Sequence, residues 1–274
     1  MEMRKVPLEE QKRILVDMLS YFDNFCRKHE IEYSITWGTL IGAIRHKGFI
    51  PWDDDIDVML DRKNYEKLKA LYDNNTEKYE LLSLGKTPKW CFTFSRIVDR
   101  NTVVKWDHPM QNSLEKHGVW IDISAVDNVT GDVEKYNTTS KRYQRYEMLG
   151  RISTALYKRE SGWWHNIIPY MAHFVLFPFS NYFFSKAESI MQTFNNVECE
   201  KMFYWHLYFG GKDNNKPFPA WMFKNGYIDV PFEGNTVRAI KEYDAFLRNI
   251  YGDYMKLPPE EKRVSYHICD VYYR

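Results

Sequence analysis

The sequence predicts an α+β fold: a mixed sheet flanked by helices, with a helical insertion and a helical C-terminal region. Three observations predict it. Residues 8–30 carry apolar side chains at helical spacing. Residues 55–60 alternate acid and apolar side chains, and residues 119–123 form an apolar run around one aspartate, both at strand spacing. The strand-like segments at 79–84, 91–98 and 102–106 are separated by turn residues rather than by helices.

In chain order, the first helix places Ile14, Met18, Phe22 and Phe25 on one stripe with Leu15, Leu19 and Cys26 beside it. Tyr33-Ser34-Ile35-Thr36-Trp37 is β-rich, Gly38-Thr39 turns, and Leu40-Ile41-Gly42-Ala43-Ile44 has the spacing of a short helix. After the strand at 55–60, a second helix starts at Asp61 and runs to about Asn74 with Tyr65, Leu68 and Leu71/Tyr72 inward. The strand at 119–123 completes the sheet. Residues 132–159 form a polar helix, and 186–198 return to helical spacing through Ile190, Met191, Phe194 and Val197. An aromatic, glycine-bearing loop covers 204–223, and a last helix covers 236–251, stopped by Gly252. The expected organisation is a catalytic core over 1–130, a helical insertion over 131–200, and a loop and helical region over 201–274 that packs on the core.

Composition narrows the function classes. A net charge of +1 lacks the basic excess of a nucleic-acid binder. Cys26, Cys91, Cys199 and Cys269 have no C-x-x-C spacing, which points away from zinc and disulfide frameworks and towards a reducing cytoplasm. The N-terminal residues show no apolar core of signal-peptide type. Residues 161–185 contain no Asp, Glu, Lys or Arg, and three readings compete for them: a buried helical hairpin, an interfacial helix on the inner membrane leaflet, and a span. Pro169 and Pro178 count against the span. The expected location is therefore cytoplasmic, with peripheral contact at the inner face of the membrane.

The densest chemistry lies in residues 35–60. Asp55 and Asp57 on one face of a strand would repel and raise each other's pKa unless a cation lay between them, and all-oxygen ligands favour magnesium or manganese. Asp53 and Asp54 add a further ligand or a solvated turn. A strand, a Gly38-Thr39 turn and a helix N-terminus would point backbone N–H groups at an anion, with Arg45 and Lys47 adding charge for phosphates. Asp122 is an isolated acid in an apolar strand, costly unless paired, and the same metal is its natural partner. Arg96 reads either as a holder of a substrate phosphate or as an exposed edge-strand arginine. His108, His117 and His165 have no partner at metal spacing and read as surface or satisfied histidines. The aromatic content of 17% is high enough for some rings to stack on sugars or cage a quaternary ammonium, while most pack in the core.

A glycine turn, D-x-D on a strand and a lone acid on a neighbouring strand resemble the nucleotidyltransferase superfamily. More narrowly, GTLIGAIRHKGFIPWDDDID, WIDI with Asp122, VPFEG at 230–234, YGDYMKLPPEEKR at 251–263 and the following His267 resemble the LicD family, which includes the fukutin-related proteins. The resemblance implies a nucleotidyltransferase-like sheet. It also implies transfer of a phospho-alcohol such as phosphocholine from a CDP-activated donor to a sugar hydroxyl of a glycan or lipid-linked oligosaccharide, releasing CMP. On that plan Asp55, Asp57 and Asp122 are catalytic and hold Mg2+ or Mn2+. Gly38, Thr39, Arg45, Lys47, Arg96 and His267 bind substrate, and Arg263 is an alternative to His267. Nucleotidyl transfer with pyrophosphate release and a D-x-D glycosyltransferase are the rival enzymes. A calcium loop starting at Asp53 would need glycine and glutamate where Val58 and Asn64 stand.

Overall fold

The computed structural model describes residues 3–88, 90–106, 117–154, 171, 173–205, 216–264 and 269–274. Strand β6 (Trp120–Val129) is its axis. Nearly every residue of β6 is buried, so it reads as a continuous apolar run rather than an alternating one. Its first half pairs in parallel with β2 (Asp57–Asp61) on one side. On the other side it pairs antiparallel with β4 (Ser95–Val98), which in turn pairs with β3 (Glu80–Leu82). Its second half pairs antiparallel with β7 (Lys201–Tyr204), and β8 (Phe218–Pro219) follows. β1 (Ser34–Ile35) lies outside β2, so parallel and antiparallel ladders share one sheet in an α+β architecture.

Helix α1 (Leu8–Lys28) buries Leu15, Met18, Leu19, Phe22, Phe25 and Cys26, the stripe that its spacing predicts except for Ile14, which is half-buried. Helix α2 (Trp37–His46) buries its face between the sheet and a β9–β10 hairpin (Tyr227–Phe232, Asn235–Ile240). Helix α3 (Arg62–Leu71) is capped by Asp61, whose carboxylate accepts from the Asn64 amide at 2.7 Å. Helices α4 (Val133–Thr154) and α5 (Ser180–Met191) pack on one another and, with β7, enclose Tyr143, Ala187, Ile190, Met191, Phe203 and Trp205. A short helix α6 (Trp221–Lys224) and helix α7 (Tyr243–Tyr251) lie in the C-terminal part of the chain.

Several expectations need correction. The last helix does not begin at 236: Thr236–Ile240 alternate, with Val237 and Ala239 buried, and pair along β9, so helical structure starts only at Tyr243. Gly252 does stop it, with φ of 68°. Helix α5 begins at Ser180 and ends at Met191, leaving 192–197 as turns because Thr193, Asn195 and Val197 bond back by three residues. β6 runs on to Val129, whereas residues 91–94 form no strand. β5 (Thr102–Trp106) leaves the main sheet and pairs with β11 (Cys269–Tyr273). Of the segment 161–185, the described part is 171 and 173–185.

Candidate active site

The chain enters α2 through Trp37, which holds a left-handed φ of 49°, a strained backbone for a bulky residue. Three glycines then set the path of the chain beyond it. A Cβ on Gly42 would meet the Gly48 carbonyl oxygen at 2.4 Å, so the loop after α2 folds directly back along the helix. One on Gly48 would meet Glu233 Oε1 at 2.0 Å, and that same oxygen accepts from the Phe49 amide at 2.9 Å. Glu233 itself sits at φ 48° in the β9–β10 turn, so the VPFEG hairpin clamps the returning loop. A Cβ on Gly38 would meet Asp53 Oδ2 at 2.4 Å, which places the end of the loop over the first turn of α2.

The acids gather there. Carboxylate oxygens of Asp53, Asp54 and Asp55 lie within 4.8 Å of one another. Asp57 opens β2, and its amide donates to Thr39 Oγ1 at 2.9 Å. Across the parallel ladder, Asp57 is in register with Asp122. Burial, then Asp55, Asp122 and Asp53, hold the Asp57 carboxyl well above the usual carboxylate range, while Arg96 acts the other way. Four carboxylates thus share one field.

Asp122 is 7% exposed and heavily engaged. Arg96, its register partner on β4, donates from Nε to Oδ1 at 2.5 Å and from Nη2 to Oδ2 at 3.3 Å. Trp120 Nε1 donates to Oδ2 at 3.2 Å. The Arg96 guanidinium lies over the rings of Trp120, Phe92 and Phe94 at 4.7, 5.3 and 5.4 Å. Its Nη1 faces His117 Nδ1 at 3.2 Å, and Trp90 stacks on that imidazole at 5.6 Å. Burial and the Arg96 charge push His117 down to about 3, so the ring is neutral.

Aromatic residues border the acids. Trp37 meets Tyr204 edge-on at 5.0 Å and Tyr251 of α7 at 6.3 Å. Tyr251 is 42% exposed overall, and desolvation around its hydroxyl, then Asp57, Asp53 and Asp55, push that hydroxyl up, which places it in the field of the cluster. Arg263 lies 5.7 Å over the Trp52 ring, next to Asp53 in the chain.

The structure therefore brings together Gly38, Thr39, Asp57, Asp122 and Arg96, and the Asp55 charge helps hold the Asp57 carboxyl up. Asp55 is not on the strand, which begins two residues later. The Pro51-Trp52 turn, closed by the Asp53 amide on the Ile50 carbonyl at 2.9 Å, carries 53–55 across the helix end instead of along the sheet. Arg96 is not an exposed edge arginine, since β4 lies inside the sheet and its guanidinium is bound to Asp122. Arg45 and Lys47 sit at the other end of α2, about 10 Å from Gly38 at the helical rise. There Arg45 donates to the Tyr254 carbonyl at 2.7 Å and Lys47 to the Ile44 carbonyl at 3.1 Å. His267, His108 and His165 lie outside the described residues. His117, expected at the surface or satisfied, is 1% exposed and leaves Nε2 without a partner. Trp120 is an added member with a readable signal, because two residues before Asp122 on a strand is the same face.

Residues 30–159 match the family model described as LicD/FKTN/FKRP, nucleotidyltransferase domain. The chain is also 29% identical over 276 residues to the lipopolysaccharide cholinephosphotransferase LicD of Haemophilus influenzae, covering 98% of this chain and 99% of that protein. The stretch 30–159 is thus similar to the LicD family. Shorter stretches are similar to uncharacterized proteins of Rickettsia typhi, 36% identical over 21% of this chain and 19% of that one, and of Rickettsia prowazekii, 58% over 11% and 12%. The LicD family match spans β1 to α4 and so contains all the acids and Arg96. Glu233 and Tyr251, which close on that LicD stretch from outside it, come from the C-terminal third.

Proposed function

We propose that the chain moves a phospho-alcohol, phosphocholine or a related group, from a CDP-activated donor to a sugar hydroxyl of a cell-surface glycan or its lipid-linked precursor, releasing CMP. The observation that carries this reading is the acid cluster: Asp53, Asp54 and Asp55 within 4.8 Å, beside the in-register pair Asp57 and Asp122. The similarity to a protein named a lipopolysaccharide cholinephosphotransferase supports the transferred group and the class of acceptor.

The donor set fits magnesium or manganese, being all carboxylate oxygens, and burial with the neighbouring carboxylates pushes Asp57 up. Asp55 and Asp57, with Asp53 or Asp54, would hold the ion. When bound it supplies charge neutralisation at the donor diphosphate. The sugar hydroxyl attacks the phosphorus of the alcohol phosphate, the P–O bond to CMP breaks, and the hydroxyl proton passes to a carboxylate of the cluster. Asp122, with both oxygens engaged by Arg96 and Trp120, is suited to bracing Asp57 and the strand pair. The first turn of α2 supplies backbone N–H groups beside Gly38 for a phosphate oxygen. Tyr251, Trp37 and Trp52 offer ring faces and edges on which a donor head group can rest.

A second reading, nucleotidyl transfer with pyrophosphate as the product, is favoured by the description of the matching family domain. Purified protein incubated with magnesium and candidate glycans, with a panel of CDP-alcohols in one arm, nucleoside triphosphates in a second and nucleotide sugars in a third, separates the readings. CMP release with a phosphate-linked glycan supports the proposal, pyrophosphate release replaces it with the second reading, and a nucleoside diphosphate would point to a glycosyltransferase.

A further inference from the structure

Between α4 and α5 the structure leaves an apolar ridge uncovered. Met171, Phe174, Val175, Phe177, Phe179 and Tyr182 are each between 37% and 80% exposed. Scattered exposed hydrophobics are ordinary, but six within the twelve residues from Met171 to Tyr182 mark a surface meant to be covered. The sequence around it, 161–185, has no charged side chain. Cations stand at its border instead. Lys186 Nζ lies 5.7 Å over the Tyr182 ring, Tyr182 meets Tyr146 of α4 edge-on at 6.4 Å, and Arg142 and Arg145 are exposed or half-buried in the turn before Tyr146. Among the described residues from Arg142 to Glu188 the acids turn inward: Glu147 is buried against Arg151, and Glu188 is held by Arg62 and Lys69.

We propose that this ridge docks on the surface of an anionic lipid bilayer. Phe, Val and Met side chains enter the headgroup region, Tyr182 sits at its polar edge, and Lys186, Arg142 and Arg145 meet lipid phosphates. Among the described residues no helix is long and apolar enough to cross a membrane. The choice of a bilayer as occupant rests on the lipid-linked acceptor of the proposed function, and the charge arrangement favours it independently. A rigid tie connects ridge and acids. Arg62, one residue after β2, bonds Asp127 of β6 at 2.7 Å and Glu188 of α5 at 3.3 Å, and Phe184 of α5 packs where any side chain at Gly150 would lie. Docking through α5 would hold the strands of Asp57 and Asp122 at a set distance from the lipid surface, where a lipid-linked sugar is presented.

The test is co-sedimentation of the full chain with vesicles of phosphatidylethanolamine and phosphatidylglycerol, and with vesicles of phosphatidylcholine alone. Binding to the anionic vesicles should exceed binding to the neutral ones and weaken with salt. Phe174→Ser with Phe179→Ser should reduce it at least about 10-fold, and Lys186→Glu about 5-fold or more, with unchanged circular dichroism because all three side chains are exposed. Equal binding to both vesicle types, no binding, or a dimer that the double substitution dissolves would overturn the proposal. The assay contains no donor, acceptor or metal ion, so its failure is distinguishable from failure of the transfer reaction.

Discussion

Asp57 stands opposite Asp122 in register on parallel neighbouring strands, and the cation in register with them, Arg96, reaches from the strand on the far side of Asp122. Neighbouring strands are about 4.8 Å apart, so two carboxylates facing across them repel strongly.

Asp57→Asn should therefore abolish CMP release while leaving the thermal midpoint unchanged or higher, since it removes one of the mutually repelling charges. Activity and melting are measured on the same preparation. Near-normal turnover in this variant would remove Asp57 from the reaction.

Gly38→Ala and Gly42→Ala separate site geometry from folding. At Gly38 the obstructing atom is the mobile end of Asp53, so alanine should cost little stability and could gain up to about 1 kcal/mol of helix propensity. The displaced carboxylate should lower activity roughly 100-fold. At Gly42 the obstruction is backbone, and alanine should destabilise by about 1–3 kcal/mol or more. Chemical denaturation of both variants, beside their rates, checks the contrast; equal stability losses would contradict it.

Arg96→Lys keeps the charge and loses the two-pronged hold on Asp122. A residue that orients the carboxylate bracing Asp57 should lower kcat by about 10–100-fold and leave the donor KM nearly unchanged. A rise in KM with kcat kept would instead return Arg96 to phosphate binding. Arg96→Met should destabilise by about 3–5 kcal/mol, because Asp122 would be left buried without its cation.

Glu147 supplies a pH dependence separate from the acid cluster. Burial raises its carboxyl to about 7 against the opposing effect of Arg151. The folded chain then holds a proton that the unfolded chain has released, so stability is greatest below the ordinary glutamate range and falls as pH rises towards 7. The loss is at most about 3 kcal/mol at one proton. Glu147→Gln should flatten that slope between about pH 5 and 7 in urea denaturation. A wild-type slope of the opposite sign would show that the Arg151 ion pair dominates.

Much of the site could be read locally. The period-two pattern marked β2, the single acid in an apolar run marked β6, and the glycines marked close approaches. The helix expected over 236–251 does not form in its first residues because the helical spacing of Val237 and Ile240 competes with strand pairing, and pairing with β9, which buries Val237 and Ala239, decides it. Asp55 was placed on a strand by alternation alone, whereas a loop packed along α2 set its direction.

By itself the chain determined which residues carry charge in apolar surroundings, since an aspartate such as Asp122 in a strand of buried side chains is expensive wherever that strand lies. Tertiary structure decided the pairings: Asp57 with Asp122 by strand register, Asp122 with Arg96 across the next ladder, and Gly48 with Glu233 from far along the chain. Hydrophobic periodicity selects the face that a residue occupies, but not which element will pack against that face. That choice depends on how the whole sheet closes.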